Sequence, residues 1–313
     1  MSRKRVLVAG GAGFLGSWLC GELLFLGDEV LCVDNFSTGS RGSVVGFLGR
    51  DGFEVMRHDV TFPLYVEVDE IYNLACPASP VAYERDAVQT VKTCVHGAIN
   101  MLGLAKRTGA RILQASTSEV YGDPEVSVQG EEYLGRVNQL GPRACYDEGK
   151  RCAETLFMAY RDRHAVDIRV ARIFNTYGPG MSIGDGRVVS EFIVKALRGD
   201  PLRVYGSGNQ TRSFCYVTDM VGGLIGLMDF NYHLPVNLGS EEEISIGGLA
   251  EKIKKMTGSK SAIEYLPERQ DDPRQRRPKL DRARRVLGWS PKVGLEEGLE
   301  RTISYFIGKV SGA

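Results

Sequence analysis

Tyr146 and Lys150 stand four residues apart in the stretch "ACYDEGKRCAE", residues 144–154, bracketed by Cys145 and Cys152, which are seven apart. On a helix, at about 100° per residue, either pair falls on one face, so spacing alone does not choose between a phenol–ammonium pair and a pair of thiols. The rest of the chain chooses. Twenty-nine residues before Tyr146, the strand-like run "RILQAST" continues into "STSEVYG" and brings the hydroxyls of Ser116, Thr117 and Ser118 and the carboxylate of Glu119 to one strand end. Ligands of open α/β sheets bind at the carboxyl ends of strands. A phenol whose ionised form is favoured by a neighbouring ammonium, with a threonine hydroxyl on the same substrate oxygen, can take a proton from an alcohol while hydride leaves its carbon. The seven cysteines, at 20, 32, 76, 94, 145, 152 and 215, form no CxxC and no metal-spaced cluster. They are expected to be reduced core residues, and no metal site is expected.

The acceptor for that hydride is written near the start. "VLVAGGAGFLGSWL" spaces Gly10, Gly13 and Gly16 between a first strand and a first helix, where small residues let the backbone approach a pyrophosphate and helix amides bind its charge. The next strand, "EVLCVDNFSTG", ends at Asp34, 18 residues after Gly16, where a carboxylate accepts from ribose hydroxyls and repels a 2′-phosphate. The cofactor is therefore expected to be NAD rather than NADP. Asp59 in "HDVT" stands where an adenine edge would lie, or serves as a helix cap. The expected cofactor set is Gly10, Gly13, Phe14, Leu15 and Gly16, then Asp34, Asn35, Asp59, Val60 and Leu74, together with Tyr146 and Lys150.

These residues must be carried by alternating elements. Short β-branched runs ("RVLVAG", "EVLCVD", "FEVMRHDV", "DEIYNLA", "RILQAST", "VDIRVARIFN") are separated by helical patterns near 14–26, 86–108 and 146–163. That alternation predicts an α/β fold, a Rossmann-type doubly wound parallel sheet. In the helix near 86–108, Val88, Val91, Val95, Ile99 and Leu102 recur at helical spacing and Gly109 stops the run, which predicts a core-facing crossover helix. From about residue 177 the rhythm breaks into "GPGMSIGDGR" and "YGSGNQTRSF", with helices near 188–198 and 245–257 and a short strand "PVNLG", the mark of a smaller, loop-rich C-terminal domain.

At 313 residues the chain can bury roughly three quarters of its extended surface without disulfides or metals. Lys plus Arg and Asp plus Glu both number 39, so there is no basic excess to neutralise a phosphate backbone, and nucleic acid is an unexpected partner. The opening "MSRKRVLVAGGAGFLG" enters a strand within five residues and its apolar run is interrupted by glycines, which fits neither signal peptide nor membrane span. A cytoplasmic protein without membrane attachment is expected.

The chain resembles the extended short-chain dehydrogenase/reductase family, and within it the nucleotide-sugar decarboxylases. The likeness runs from "GGAGFLGS" through "HDVT", "NLACPASP", "STSEVYGDP", "CYDEGKR", "ARIFNTYGP", "DGRVVS", "VYGSGNQTRSF" and "VNLG" to "DDPRQRRP" and "LGW". The glycine and Tyr-Lys motifs mark the superfamily, whereas "LACPASP" and "STSEVYGDP" are far more specific. The resemblance implies an NAD-binding domain over 1–176 with returning segments near 214–240, and a nucleotide-sugar-binding domain over 177–213 and 241–313. It also implies redox-neutral conversion of UDP-glucuronate to UDP-xylose through 4-keto intermediates, and a homodimer packed through the helices near 86–108 and 146–163.

Related 4,6-dehydratases carry Asp-Glu after the threonine and 4-epimerases carry small residues; here Thr117-Ser118-Glu119 keeps a carboxylate without the Asp, which suits neither. By resemblance Tyr146, Lys150, Thr117, Ser118, Glu119 and Arg276 are catalytic, with Arg276 on the substrate carboxylate and Glu119 positioning the sugar or delivering a proton. Asn175, Arg212, Tyr205 and Arg276 would bind the UDP-sugar. Two departures, Gly180 for an arginine and Leu134 for a tryptophan, fall in segments expected to border the substrate cleft. Three alternatives stand beside this reading: an oxidative decarboxylase that releases the keto-pentose with NADH, another nucleotide-sugar dehydratase or epimerase, and a non-catalytic NAD-binding regulator.

Overall fold

The computed structural model describes residues 3–184 and 186–311. Six strands rise in sequence: β1 (Arg5–Ala9), β2 (Glu29–Asp34), β3 (Phe53–Arg57), β4 (Glu70–Asn73), β5 (Arg111–Thr117) and β6 (Ile168–Ile173). Short strands β7 (Thr176–Tyr177), β8 (Leu202–Tyr205), β9 (Thr211–Ser213) and β10 (Cys215–Tyr216) follow, before β11 (Val236–Leu238). β11 joins the first six in a seven-stranded parallel sheet of order β11-β6-β5-β4-β1-β2-β3. Both faces are covered, which is why the strands read as near-continuous apolar runs rather than alternating ones. Val6, Val8, Val30 and Cys32 enter one core, while Leu7, Ala9, Leu31 and Val33 enter the other, as the two-residue period of a strand requires.

Helices α1 (Phe14–Phe25), α2 (Pro80–Arg85), α3 (Ala87–Thr108) and α4 (Ala144–His164) precede β6; α5 (Val188–Arg198) and α6 (Val217–Asp229) follow it. Leu19 and Leu23 of α1 share a core with Leu224 and Leu227 of α6, and Met101 and Leu102 of α3 share the opposite core with Phe157 of α4. The strand order reverses between β1 and β4, so their carboxyl ends open a crevice there, beside the glycine loop that follows β1.

Beyond β11 come β12 (Glu243–Ser245), α7 (Ile246–Met256), β13 (Ile263–Leu266), β14 (Gln275–Arg276), α8 (Asp281–Leu287) and α9 (Leu295–Val310). β13 pairs with β8, and β9 lies between β12 and β14. The β9–β14 register sets Arg276 directly beside Arg212. That pairing brings two cations that are distant in sequence to one wall.

The α3 expectation needs correction. Gly109 does end the helix, at φ 75°, and Asp86 caps its start by accepting from Gln89 N. Of the apolar stripe, however, only Leu102 is buried; Val88 is 66% exposed, Val91 41% and Ile99 38%. The inward face begins with small residues, Thr90, Thr93, Cys94, Gly97 and Ala98, where α3 approaches its neighbours closely, and ends with Met101, Leu102, Leu104 and Ala105. A Cβ on Gly97 would stand 3.0 Å from Val60 Cγ2.

Candidate active site

One cavity of about 420 Å³ runs along the crevice, from the glycine loop to the strand end of β5 and on to β8, β9 and β14. Its cofactor end is shaped by backbone. Gly10 has φ 79°, and a Cβ there would lie 2.9 Å from Ala75 N; a Cβ on Gly16 would lie 2.1 Å from Gly10 O. Glycine is therefore required at both for the loop to close under a pyrophosphate. Helix α1 begins after Gly13 with no side-chain cap and no acidic residue in its first turn, leaving its amides to an anion. Asp34 is buried, its oxygens accepting from Phe36 N at 2.7 Å and Ala12 N at 3.0 Å. Burial pushes its carboxyl up while those two amides pull it down. Each oxygen keeps a second acceptor position, which suits a ribose diol. These residues fit NAD.

Asn35, Val60, Leu74, Phe14 and Leu15 line the same cavity. Asp59 does not. Its Oδ1 accepts from the backbone N and Oγ1 of Thr61, closing a turn with no helix after it, and its Oδ2 accepts from Asn35 Nδ2 at 3.2 Å and Gln89 Nε2 at 3.4 Å.

At the chemical end, Thr117, Ser118, Glu119, Tyr146 and Lys150 are all buried and all line the cavity. The Tyr146 ring stacks on Tyr83 with centroids 5.1 Å apart and planes 8° from parallel. Lys150 Nζ donates to Ala115 O at 2.8 Å and stands 5.7 Å from the Tyr146 ring centroid. Burial, then the Cys76 thiol, pushes the Tyr146 phenol up, while the hydrogen bond with Thr117 pulls it down. Cys145 and Cys152 form no pair: the first donates to Tyr83 O and the second is exposed. All seven cysteines are free; Cys20, Cys32, Cys94 and Cys215 are buried, and Cys76 Sγ touches Cys94 Sγ at 3.2 Å.

The sugar end is an arginine–carboxylate cluster. Glu119 accepts from Arg143 Nη2 at 2.6 Å and from Arg276 Nη2 at 2.5 Å. Asp272 Oδ1 lies 3.0 Å from Arg212 Nη2 and 3.3 Å from Arg143 Nη1. Burial works against the Glu119 charge, yet the Arg276 and Arg143 guanidiniums hold the carboxyl below its ordinary range. Asp147 goes the other way, pushed up to about 8 by burial and by Glu119. Burial and Arg276 together pull Arg212 down to about 10. The Nε of Arg276, the Nε of Arg143 and the hydroxyl of Tyr83 are buried without a hydrogen-bond partner. Unmatched buried donors cost about 1–3 kcal/mol each, and three of them lie in this cluster.

Asn175, whose Oδ1 lies 3.5 Å from Arg276 Nη1, lines the same cavity, as does Tyr205, whose ring carries the Arg269 guanidinium 3.8 Å above it. Leu134 is 85% exposed and lies off the cavity wall. Gly180 sits against Trp18 and Phe14, with φ 95° and a built Cβ 3.3 Å from Trp18 Nε1, so the position faces α1 at the cofactor end. Sequence reasoning missed Tyr83, Arg143, Asp147 and Asp272. Arg143 and Asp147 stand within three residues of Tyr146, and Asp272 within four of Arg276, but spacing does not show that they meet Glu119 and one another.

A family model described as NAD dependent epimerase/dehydratase family matches residues 6–239. A UDP-glucuronic acid decarboxylase 1 from Danio rerio is 57% identical over 304 residues, covering 97% of this chain and 73% of that protein. A UDP-glucuronic acid decarboxylase 6 from Arabidopsis thaliana is 55% identical over 299 residues, covering 95% and 87%. Among solved structures, the Bacillus cereus UDP-glucuronic acid 4-epimerase in complex with UDP-glucuronic acid and NAD superposes with a TM-score of 0.88 at 26% identity, covering 97% of this chain and 99% of that one. The chain belongs to the NAD dependent epimerase/dehydratase family, within which UDP-glucuronic acid decarboxylases are its near relatives.

Proposed function

We propose that the protein is an NAD-dependent, redox-neutral decarboxylase that converts UDP-glucuronate to UDP-xylose. One observation carries the reading beyond the relatives' names: an alcohol-oxidising unit, Tyr146 with Thr117, shares a cavity wall with two buried guanidiniums, Arg143 and Arg276, that converge on a carboxylate. Bound NAD supplies the acceptor that takes hydride from the sugar C4 and gives it back after CO2 has left.

Tyr146 takes the proton of the C4 hydroxyl, and Thr117 and Ser118 hold the same oxygen in line. With C4 a carbonyl, the substrate is a β-keto acid. Its carboxylate leaves as CO2 and the electron pair passes to O4, where the Tyr146 and Thr117 hydroxyls stabilise the enolate. A proton from solvent then goes to C5 and restores the 4-ketone, and when hydride returns to C4 the Tyr146 hydroxyl gives its proton back to O4. Lys150, fixed on the Ala115 carbonyl, holds positive charge beside the phenol through these steps. The planar fork of Arg276 suits the departing carboxylate. Glu119, held ionised by two guanidiniums, acts as a positioning group rather than as a proton donor. Asn175, Arg212 and Tyr205 hold the sugar nucleotide, and the segments 177–213 and 241–313 form the nucleotide-sugar-binding part against the NAD-binding part over 1–176 and 214–240.

Substrate should be consumed far beyond the molar amount of NAD while absorbance at 340 nm stays flat. A rise at 340 nm matching substrate loss would instead mean release of the keto-pentose with reduced cofactor. A dehydratase or an epimerase would release no CO2, and a regulator without turnover has no use for the buried Tyr146, Lys150, Thr117 and Glu119 together.

The exposed Val88, Val91 and Ile99 of α3, beside α4, support a homodimer closed by these helices across a two-fold axis. Sedimentation should give a dimer at micromolar concentration, and a monomer there would overturn it. No helix among the described residues is long and apolar enough to cross a membrane. A cytoplasmic site of action is supported by the free thiols.

A further inference from the structure

Two carboxylates have a claim on Arg276. In the structure it binds Glu119 Oε2 through Nη2 at 2.5 Å; under the reaction assigned above it must bind the carboxylate of the hexuronate. The two guanidiniums on Glu119 are not equivalent. Arg143 immediately precedes α4, its backbone carbonyl accepts from Tyr146 N and Asp147 N, and its Nη1 is tied to Asp272 Oδ1 at 3.3 Å. Arg276 belongs to a two-residue strand, has Glu119 as its sole carboxylate within hydrogen-bond distance among the described residues, and keeps Nη1 3.5 Å from Asn175 Oδ1; Nε is unpartnered in both guanidiniums. Arg143 is held by two carboxylates, Glu119 and Asp272, while Arg276 is held by one.

The ion pairs agree. Arg143, Arg212 and Arg276 share two carboxylates, Glu119 and Asp272, with Arg143 on both and Arg276 on Glu119 alone.

We propose that Glu119 is a stand-in for the substrate carboxylate: the hexuronate displaces it from Arg276, and Arg143 is the positioning residue that retains it. This rests on the decarboxylase reading and adds to it the step that frees Arg276 for the substrate. A nucleotide sugar without the carboxylate leaves Glu119 on Arg276, so binding of the uronate alone includes an exchange between two carboxylates. Arg143 keeps the displaced Glu119 from remaining a buried, unpaired charge that would compete for Arg276.

The test is calorimetric titration of NAD-loaded protein carrying Tyr146→Phe, which prevents turnover, with UDP-glucuronate and with UDP-xylose, which shares the nucleotide but lacks the carboxylate. Adding Glu119→Gln should tighten UDP-glucuronate several-fold and leave UDP-xylose within about twofold. Adding Arg143→Gln should weaken UDP-glucuronate at least tenfold and UDP-xylose less than twofold, and combining the two should restore most of the lost affinity. Weaker UDP-glucuronate binding in the Glu119→Gln protein overturns the exchange, as does an equal loss for both ligands in the Arg143→Gln protein. Because Glu119→Gln is read on its own, the proposal stays testable if Arg143→Gln fails to fold. Turnover of UDP-glucuronate by the unmodified protein is scored separately, so failure of the exchange is distinguishable from failure of the decarboxylase reading.

Discussion

Tyr146→Phe is expected to lower kcat on UDP-glucuronate by about 10²- to 10⁴-fold while UDP-sugar binding stays within a few-fold of the parent. The substitution removes one oxygen and keeps the ring. That ring is buried and stacked on Tyr83 at 5.1 Å, so packing and the wall of the cavity persist. What disappears is the base for the C4 proton and a donor to the enolate oxygen. The first loss stops oxidation before any carboxylate is activated, so neither CO2 release nor a change at 340 nm should be detectable above the residual rate. Stopped-flow absorbance with parallel CO2 trapping checks this, and near-parental CO2 release would remove Tyr146 from the mechanism.

Arg276→Gln is expected to cost UDP-glucuronate about 10- to 150-fold in kcat/KM, the range for losing a hydrogen bond to a charged group, with little change in affinity for UDP-xylose. Glutamine reaches the same region but presents no cationic fork. Arg276→Lys should recover little, because a point charge cannot make the two-armed contact that a carboxylate accepts from a guanidinium. Loss of stability is expected to be limited, since Glu119 retains Arg143 at 2.6 Å. Steady-state kinetics with both variants, set beside UDP-xylose inhibition constants, decide the matter. A loss shared equally by the two ligands would mean that Arg276 supports the cleft without reading the carboxylate.

What the sequence carried and what it did not follow from the range of the forces involved. β1 and the loop of Gly10, Gly13 and Gly16 are local features: a strand period, a tight turn and a helix start within 12 residues, from Arg5 to Gly16. Tyr146, Lys150 and Thr117 were legible as types at a spacing, because one helix and one strand end carry them. The orientation of α3 was not, since the period of Val88, Val91 and Ile99 says that they share a face but not whether that face meets the sheet or solvent. Small residues won the inward side by allowing closer approach. Asp59 was ambiguous for a related reason: a short carboxylate can satisfy its own turn, and here it does. Arg276 was reached by resemblance, its burial being invisible in a basic run until β14 pairs with β9. Arg143 and Tyr83 were missed because their partners, Glu119 and the Tyr146 ring, meet them only through the tertiary fold.

One site that oxidises C4, expels the carboxylate and restores the alcohol should be visible in proton NMR of UDP-glucuronate incubated with the purified protein and NAD well below the substrate concentration, with the anomeric signals followed and absorbance at 340 nm recorded alongside. Complete replacement of the UDP-glucuronate anomeric signal by that of UDP-xylose is expected, with no build-up at 340 nm; an unchanged substrate, or a keto-pentose accompanied by an equal amount of reduced cofactor, would overturn the single-site mechanism.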